Sequence, residues 1–185
     1  MSDILERLDK LKVRIQEEDF LKGNGLSNEV NIHIFCYDPK DEMAVRYFTE
    51  QIVTDQDLNC HIIEKNLYKV FLEICDEKRI TKAAPSMEEK KGKEYLKNQI
   101  FRFANNKAFV EKIKPEEQRE RDVLLITGVG EVFPFARVHA LLEAIQPEVP
   151  NIPILVMYPG SFNGRQLRLF DKLEPNGYYR AFNAI

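Results

Sequence analysis

The sequence predicts a single α/β domain over residues 1–185, with a mainly parallel sheet of about five strands flanked by helices. Two short segments carry this prediction, because VLLIT (Val123–Thr127) and ILVMY (Ile154–Tyr158) are apolar and contain no charged residue. Strands that are apolar on both faces are typical of parallel sheets covered by helices on both sides. An amphipathic helix predicted over Pro134–Ile145 connects the two strands into a βαβ unit, whose crossover should be right-handed.

The amino-terminal part of the chain alternates helical and strand-like patterns. Apolar residues at helical spacing predict a helix over residues 3–18, and the loop GNGLSN (Gly23–Asn28) separates it from the strand VNIHIFCY (Val30–Tyr37). We expect Asp38 to cap the next helix and Pro39 to take its first position. One face of that helix is lined by Ala44, Phe48 and Ile52.

The middle and the end of the chain continue this alternation. LNCHIIEK (Leu58–Lys65) predicts a second strand, and a helix follows it with apolar residues at helical spacing. The segment TKAAPS (residues 81–86) predicts a break, after which a long charged helix should cover Met87–Lys114 and end at Pro115. YYRAFNAI (Tyr178–Ile185) predicts the final strand.

Composition and charge limit the classes of function. The net charge of -3 and the pI of about 5.7 disfavour a protein that binds nucleic acid over its whole surface, since such proteins are usually basic. The three cysteines form no CxxC pair, which fits a reducing compartment. The charged N-terminus lacks the apolar core of a signal peptide, and no apolar run approaches the roughly 20 residues that span a bilayer. We therefore expect a cytoplasmic protein outside the membrane.

The turn GVGEVF (Gly128–Phe133) follows a predicted buried strand, where an open α/β sheet places its ligands. Gly128 and Gly130 match the first two glycines of a dinucleotide fingerprint, but Phe133 stands where the third would let helix and strand pack closely. No Gly-Lys-Ser/Thr sequence follows, and Glu131 would put negative charge where a P-loop holds phosphate. The pattern favours glycines that relieve a tight turn, with no cofactor, over a nucleotide site.

A second loop, YPGSFNGRQLRLF (Tyr158–Phe170), also follows a buried strand, so it should lie beside the first loop. Arg165 and Arg168 could bind an anion or the carboxylates of a partner. A structured surface loop with solvated arginines is the commoner case. Ser161 does not match the Gly-x-Ser-x-Gly nucleophile pattern, because Gly164 falls one place late.

Catalytic and metal-binding patterns are weak in the rest of the sequence. His33 and Cys36 lie three apart on a predicted strand and so face opposite sides, and the adjacent Cys60 and His61 also diverge. His139 lies in a predicted helix without an evident acidic partner. We therefore expect no metal site and no catalytic residue, unless a triad assembles in the tertiary structure.

The predicted long helix is basic, since Lys90–Lys114 carries eight Lys or Arg and only two Glu. Its lysines could contact the phosphates of DNA. The solvated face of an amphipathic helix is commoner, and the acidic residues of KPEEQRERD follow directly. The sequence therefore predicts weak nucleic-acid binding at most.

Three segments, in order along the chain, resemble one protein family. FCYDPKDE (Phe35–Glu42), LLITGVGEVFPFARVHALLEAI (Leu124–Ile145) and IPILVMYPGSFNGRQLRLFDKLEPNGYYRAF (Ile152–Phe182) are similar to the BrxB family, small proteins of the bacteriophage exclusion (BREX) defence systems of bacteria and archaea. The resemblance is most specific from Asp122 onward. It implies membership in a multi-protein system with a PglZ-like protein, a PglX-like DNA methyltransferase and a BrxC-like ATPase. Such systems mark host DNA by adenine methylation and block replication of unmarked phage DNA.

The resemblance and the sequence together predict a non-enzymatic interaction subunit of a BREX-type complex that binds the PglZ-like component. The expected contact surface is the carboxyl edge of the sheet, where aromatic and arginine residues concentrate as they do in binding hot spots. One alternative is a nucleotide-responsive regulator with a degenerate phosphate loop, for which Gly128 and Gly130 are the weak candidates. The other is a DNA-contacting subunit. The candidate partner-binding residues are Asp38, Glu131, Phe133, Phe135, Tyr158, Phe162, Arg165 and Arg168.

Overall fold

The structure is a computed structural model that describes residues 2–23, 31–174 and 181–185. Helices and strands alternate along most of these residues. The elements in chain order are α1 (Ser2–Arg14), α2 (Glu18–Lys22), β1 (Ile32–Tyr37), α3 (Glu42–Thr54), β2 (His61–Asn66), α4 (Leu67–Glu77), α5 (Ile80–Lys91), α6 (Lys93–Phe103), α7 (Asn106–Ile113), β3 (Asp122–Thr127), α8 (Val129–Val132), α9 (Val138–Ile145), β4 (Ile154–Phe162), β5 (Leu167–Leu169) and β6 (Phe182–Asn183).

The sheet contains five parallel strands in the order β2–β3–β4–β1–β6. Ile154 of β4 lies opposite Leu124 of β3 on one side and opposite Ile32 of β1 on the other. The predicted α/β fold and the predicted parallel pairing of the two apolar strands are therefore confirmed. All residues of β3 are buried, because helices cover both faces of the sheet.

Different helices cover the two faces. Leu11 and Ile15 pack on one face together with residues of α3, and Phe109 of α7 packs on the other with residues of α4 and α9. Successive side chains of a strand alternate between faces. Leu125 therefore belongs to the first cluster and Leu124 to the second.

The middle of the chain differs from the prediction in two ways. The segment 81–86 does not break the helix, because α5 runs through Pro85, which removes only one backbone hydrogen bond at an exposed position. The single helix predicted over Met87–Lys114 is wrong. Gly92, with φ 82° and ψ 165°, separates α5 from α6, and the Asn105 side chain caps α7 by accepting a hydrogen bond from a backbone N–H.

The helix predicted over Pro134–Ile145 begins later, at Val138. The short α8 and a cis peptide bond between Phe133 and Pro134 precede it. The Phe135 backbone N–H donates a hydrogen bond to the Val132 carbonyl oxygen at 2.8 Å. This turn takes the place of the first turn of the predicted helix.

The remaining boundaries shift by a few residues. The predicted helix over residues 3–18 ends at Arg14, and the strand predicted from Leu58 begins at His61. Asp38 accepts a hydrogen bond from the Lys40 backbone N–H, but it caps a 3₁₀ turn that precedes α3.

The final strand is present as β6, which pairs with β1. The predicted residues Tyr178–Arg180 of that strand lie outside the described residues. The same holds for residues 24–28 of the predicted first loop and for Val30.

Candidate partner-binding site at the carboxyl edge

The carboxyl ends of the parallel strands meet at one edge of the sheet. β1, β2 and β3 end there at Tyr37, Asn66 and Thr127. β4 continues past this edge to Phe162 and pairs antiparallel with β5, which makes a β4–β5 hairpin. Among the cavities at this edge, one opens toward α3 and one toward α9, and we call these the acidic cavity and the apolar pocket.

The Gly-x-Gly turn separates the two cavities and packs tightly on its neighbours. Gly128 has φ 70°, and a Cβ atom there would lie 2.6 Å from the Asn66 side-chain oxygen. A Cβ atom on Gly130 would lie 2.9 Å from the Phe170 ring and 3.2 Å from the Pro159 ring. The glycines thus serve the close packing of this turn against the chain's own side chains.

The acidic cavity has a volume of about 140 Å³ and lies between α3, the end of β2 and the turn after β3. Arg46 pairs at 2.8 Å with both Glu42 and Glu131. The Tyr37 hydroxyl donates a hydrogen bond to Glu42 at 2.6 Å. Burial and this hydrogen bond raise the pKa of Tyr37, so the hydroxyl stays protonated and keeps its role as a donor. Glu131, a predicted contact residue, is therefore held by an ion pair within the chain.

Two further side chains shape the floor of the acidic cavity. The Thr127 hydroxyl donates a hydrogen bond to the Glu64 carboxylate at 2.6 Å. The Asn66 side-chain oxygen accepts hydrogen bonds from the backbone N–H groups of Tyr68 and Lys69, at 3.0 and 3.1 Å. Asn66 thereby caps α4 and holds the start of that helix at the cavity.

The apolar pocket, of about 220 Å³, lies on the opposite face beside α9. Phe133 and Tyr158, both predicted contact residues, line it together with Val138 and Leu167. Burial raises the pKa of Tyr158, so its hydroxyl remains neutral. The structure therefore brings together two aromatic residues that are far apart in the sequence.

The β4–β5 hairpin carries three more predicted contact residues. Arg165 and Arg168 are exposed, and Phe162 is half-buried against the core. The Asn163 side-chain oxygen accepts hydrogen bonds from the backbone N–H groups of Arg165 and Gln166, at 3.0 and 2.8 Å. The loop is thus shaped by its own side chain, and both guanidinium groups remain at the surface.

The last two predicted residues do not line the apolar pocket, and Asp38 instead lines a separate cavity together with Phe162. Phe135 is half-buried and stacks on Phe71, with ring centroids 4.7 Å apart, and it also contacts Phe101. Asp38 is exposed and pairs with Lys40 at 2.8 Å. Phe135 therefore belongs mainly to the packing between helices.

Sequence reasoning missed the α3 and β2 side chains of the acidic cavity. Glu42 and Arg46 stand four residues apart on a helix, a spacing at which ion pairs form, so this pair had a detectable signal. The sequence contains no such signal for Glu64 and Thr49, because their position at the edge depends on how the strands and helices assemble.

Two of the potential nucleophiles and bases, Cys36 and His33, are sequestered by burial, whereas His61 is exposed. Burial raises the pKa of the Cys36 thiol to about 12, which keeps it protonated at neutral pH. Burial lowers the pKa of His33 to about 4, which keeps this ring neutral. His61 contacts Asp122 at 3.1 Å, at the amino-terminal ends of β2 and β3 and so away from the carboxyl edge. Among the described residues, no group of three or more His, Cys, Asp or Glu is arranged to hold a metal ion.

The basic segment is partly neutralised by ion pairs. Lys112 pairs with Glu77 at 2.6 Å, and Lys114 pairs with Glu148 at 3.3 Å. The basic residues of this segment are divided among three helices and do not lie along a single one. Across residues 2–23, 31–174 and 181–185, none of the helices combines the length and the apolar character that a bilayer-spanning segment requires.

Comparisons with known proteins give a consistent match. A family model described as "BREX protein BrxB" matches residues 63–184. The chain is 38% identical over 192 aligned residues to a BREX protein BrxB of Bacillus cereus (strain H3081.97), with 100% of this chain and 99% of the relative covered. It is 30% identical over 184 residues to a BREX protein BrxB of Escherichia coli O9:H4 (strain HS), with 97% and 90% covered. No solved structure matches the chain.

Proposed function

The chain belongs to the BrxB family of BREX proteins, and we propose that it is a non-enzymatic interaction subunit of a cytoplasmic BREX anti-phage defence assembly. As a BREX component it works with other BREX proteins. The proposed direct partner is the PglZ-like component. The BrxC-like ATPase and the PglX-like methyltransferase are the next candidates.

The apolar pocket beside the β4–β5 hairpin is the observation that carries this proposal. The half-buried Phe133 offers aromatic surface there, and the buried Tyr158 forms part of the pocket wall. The exposed Arg165 and Arg168 stand on the adjoining hairpin. Aromatic and arginine side chains around a desolvated pocket are typical of binding hot spots. The surface therefore suits a partner that presents an apolar anchor with carboxylates beside it.

The polar groups of the carboxyl edge support a binding role over a catalytic one. Glu42 and Glu131 each form an ion pair with Arg46, and the Tyr37 hydroxyl donates a hydrogen bond to Glu42. A general acid or base needs a proton that it can exchange with a substrate. These groups are instead fixed against each other, as in a preformed recognition surface.

The test is capture of the PglZ-like protein by the purified chain and by its Arg165→Glu/Arg168→Glu variant. Both arginines are exposed, so the melting temperature should stay nearly unchanged, whereas capture and phage protection should be lost through charge repulsion. The matched control is Lys78→Glu/Lys82→Glu, which makes the same charge change at two exposed positions, one in the turn after α4 and one on α5. The proposed surface is wrong if the arginine variant is stable, binds the PglZ-like protein and still protects the host.

A second variant tests the pocket itself. Phe133→Ala removes part of the aromatic lining, and since Phe133 is only half-buried we expect a folded protein with weakened capture. Circular dichroism and the melting temperature report on the fold independently of binding. A variant that unfolds would assign Phe133 to the core, and the pocket would then be tested with Leu169→Ala, which alters another half-buried lining residue.

A further inference from the structure

The acidic cavity contains more negative charge than its own residues neutralise. Arg46 is already shared between Glu42 and Glu131. Glu64 also lines the cavity, and no Lys, Arg or His nitrogen among the described residues lies within 4.0 Å of its carboxylate. Glu50 adds a further carboxylate at the wall, and Lys69 is the second basic residue of the lining. Four carboxylates thus face two cations, which leaves a net charge of -2 in the lining.

A buried hydroxyl independently points to a ligand at the same place. Thr49 is 5% exposed and lines the cavity, and its Oγ1 atom has no hydrogen-bond partner among the described residues. A buried polar atom without a partner costs free energy, so such atoms are rare in folded proteins. A donor group that enters the cavity would satisfy this oxygen.

The rim of the cavity carries exposed apolar side chains. Met43 is 74% exposed and Tyr47 is 66% exposed. They stand at helical spacing with Arg46 and Glu50, so one side of α3 presents both an apolar strip and the wall of the cavity. Methionine and tyrosine are enriched at protein–protein interfaces, whereas a site for a free ion needs no such rim.

The size of the cavity restricts what can enter. Its volume of about 140 Å³ is well below the roughly 300–1,000 Å³ of sites for drug-sized ligands. It suits the end of one side chain. A guanidinium or ammonium group also supplies several N–H donors, which match carboxylate and hydroxyl oxygens.

We infer that the acidic cavity receives one basic side chain, Lys or Arg, of the protein partner, while Met43 and Tyr47 contact the partner's surface around it. The inference rests on the proposed function, because it names a second contact of the same carboxyl edge. In the complex, the cation bonds to Glu64 and the Thr49 hydroxyl accepts a hydrogen bond from it. The apolar pocket and the acidic cavity then bind the partner from the two faces of the sheet.

Glu64→Gln is the direct test, because the amide oxygen still accepts the hydrogen bond from Thr127 while the charge is removed. We expect the dissociation constant for the PglZ-like protein to rise by about tenfold or more, with an unchanged melting temperature. The affinity should also become less sensitive to salt, since one screened charge pair is lost. Glu111→Gln, at an exposed position on α7, is the matched control.

Thr49→Val adds a readout that a purely structural role would not produce. Removing the unpartnered hydroxyl should leave the free protein as stable as before or slightly more stable. Binding of the PglZ-like protein should nevertheless weaken. A variant that is more stable and binds normally would show that the hydroxyl does not contact the partner, which contradicts the inference.

Different outcomes of these experiments contradict the proposed function and the inference about the acidic cavity. Loss of capture in the Arg165→Glu/Arg168→Glu variant with full affinity in Glu64→Gln would overturn the inference and leave the proposed function standing. A wild-type chain that does not bind the PglZ-like protein would overturn the proposed function itself. Titration with methylguanidinium and with n-butylammonium, followed by amide chemical shifts around Thr49, tests the other source of the cation. Micromolar binding of either, with unchanged partner affinity in Glu64→Gln, would assign the cavity to a free small molecule and overturn the inference.

Discussion

A single buried histidine couples the stability of this fold to pH. His33 is 4% exposed, its ring packs on Phe20 with centroids 4.3 Å apart, and its Nε2 atom contacts the Asn31 side-chain oxygen at 2.8 Å. Its Nδ1 atom has no partner among the described residues. Burial and, to a smaller extent, the positive charge of Arg14 lower the pKa of His33 to about 4, and Asp19 partly opposes this.

The pKa of His33 predicts loss of stability in mild acid. Above the unfolded-state pKa of about 6.5 both states are neutral at this site, so it contributes nothing there. As the pH falls toward 4, the unfolded chain binds a proton that the folded protein excludes, and unfolding becomes easier. By pH 4.5 this cost reaches about 2 kcal/mol. Urea unfolding of wild type and His33→Phe at pH 7.5 and 4.5 measures it, because the comparison at pH 7.5 isolates the packing change. An equal pH dependence in both proteins would refute the assignment.

Each strand at the centre of the sheet needs both of its faces to be apolar. β3 has helices on both sides, and Leu125 is fully buried between β2 and β4. The hairpin made by β4 and β5 depends on a different feature, a close backbone approach at Gly160. A Cβ atom there would lie 2.2 Å from the Arg168 carbonyl oxygen.

Leu125→Asp should unfold the domain. An unpaired buried carboxylate costs several kcal/mol, against a total stability of roughly 5–15 kcal/mol for such domains. Far-UV circular dichroism and size-exclusion chromatography provide the measurement. Leu5→Asp, at a position of α1 that is 55% exposed, is the control that should remain folded. A folded, monomeric Leu125→Asp protein would show that β3 is not buried as described.

Gly160→Ala should disturb the β4–β5 hairpin more than the domain. The added methyl group meets backbone, which cannot move aside as a flexible side chain can, so we expect a cost of about 1–3 kcal/mol. Hydrogen exchange of the amides of Phe162 and Leu169 should accelerate. Gly164→Ala is the matched control, because it shares a positive φ but has no heavy atom within 4 Å of the added Cβ. Equal effects of the two changes would mean that the close approach at Gly160 is unimportant.

At the scale of the whole molecule, the net charge is negative and the basic segment Lys90–Lys114 is divided among several helices. The net charge is -3, and the basic residues of Lys90–Lys114 are spread over three helices and partly paired. The turn at Gly128 and Gly130 is packed against Asn66 and Phe170 and carries no lysine that could meet a phosphate. Both features favour contacts with proteins over contacts with DNA or nucleotides.

The purified chain should bind DNA only weakly. Its contacts would be nonspecific and electrostatic, so binding should be lost as the salt concentration is raised from low to physiological. A gel-shift series over this salt range is the measurement. Sequence-specific binding that survives physiological salt would move the DNA-contacting alternative ahead of the proposed function.

The chain alone should hydrolyse neither ATP nor GTP, because the Lys and Ser/Thr of a P-loop are missing after Gly130. Phosphate release by the wild type, compared with Glu131→Ala, tests this. Turnover that depends on Glu131, together with tight binding of magnesium nucleotide, would contradict it and favour the nucleotide-responsive alternative.

The class of fold and its central strands could be predicted from the amino-acid sequence. The segments Val123–Thr127 and Ile154–Tyr158 are apolar on both faces, so they can be buried only between two layers of helices. This property is visible in the sequence of each short segment. The Gly-x-Gly turn was also located correctly after a buried strand, but the predicted loop Tyr158–Phe170 is largely a hairpin, because β4 continues to Phe162 and β5 covers Leu167–Leu169. Helix ends were less accurate, because α5 tolerates the one hydrogen bond lost at Pro85 and because Gly92 permits a backbone conformation that ends the helix.

The set of side chains that meet at the carboxyl edge could not be predicted from the sequence, because it depends on how the elements assemble. Glu64 comes from β2, Thr49 from α3 and Glu131 from the turn after β3, so their meeting depends on strand order and on the face that each helix covers. Hydrophobic periodicity fixes which face of each element is buried, but it does not fix which elements become neighbours. The acidic cavity and its unpartnered hydroxyl therefore follow from the assembly of the sheet, although every residue in them can be read in the sequence.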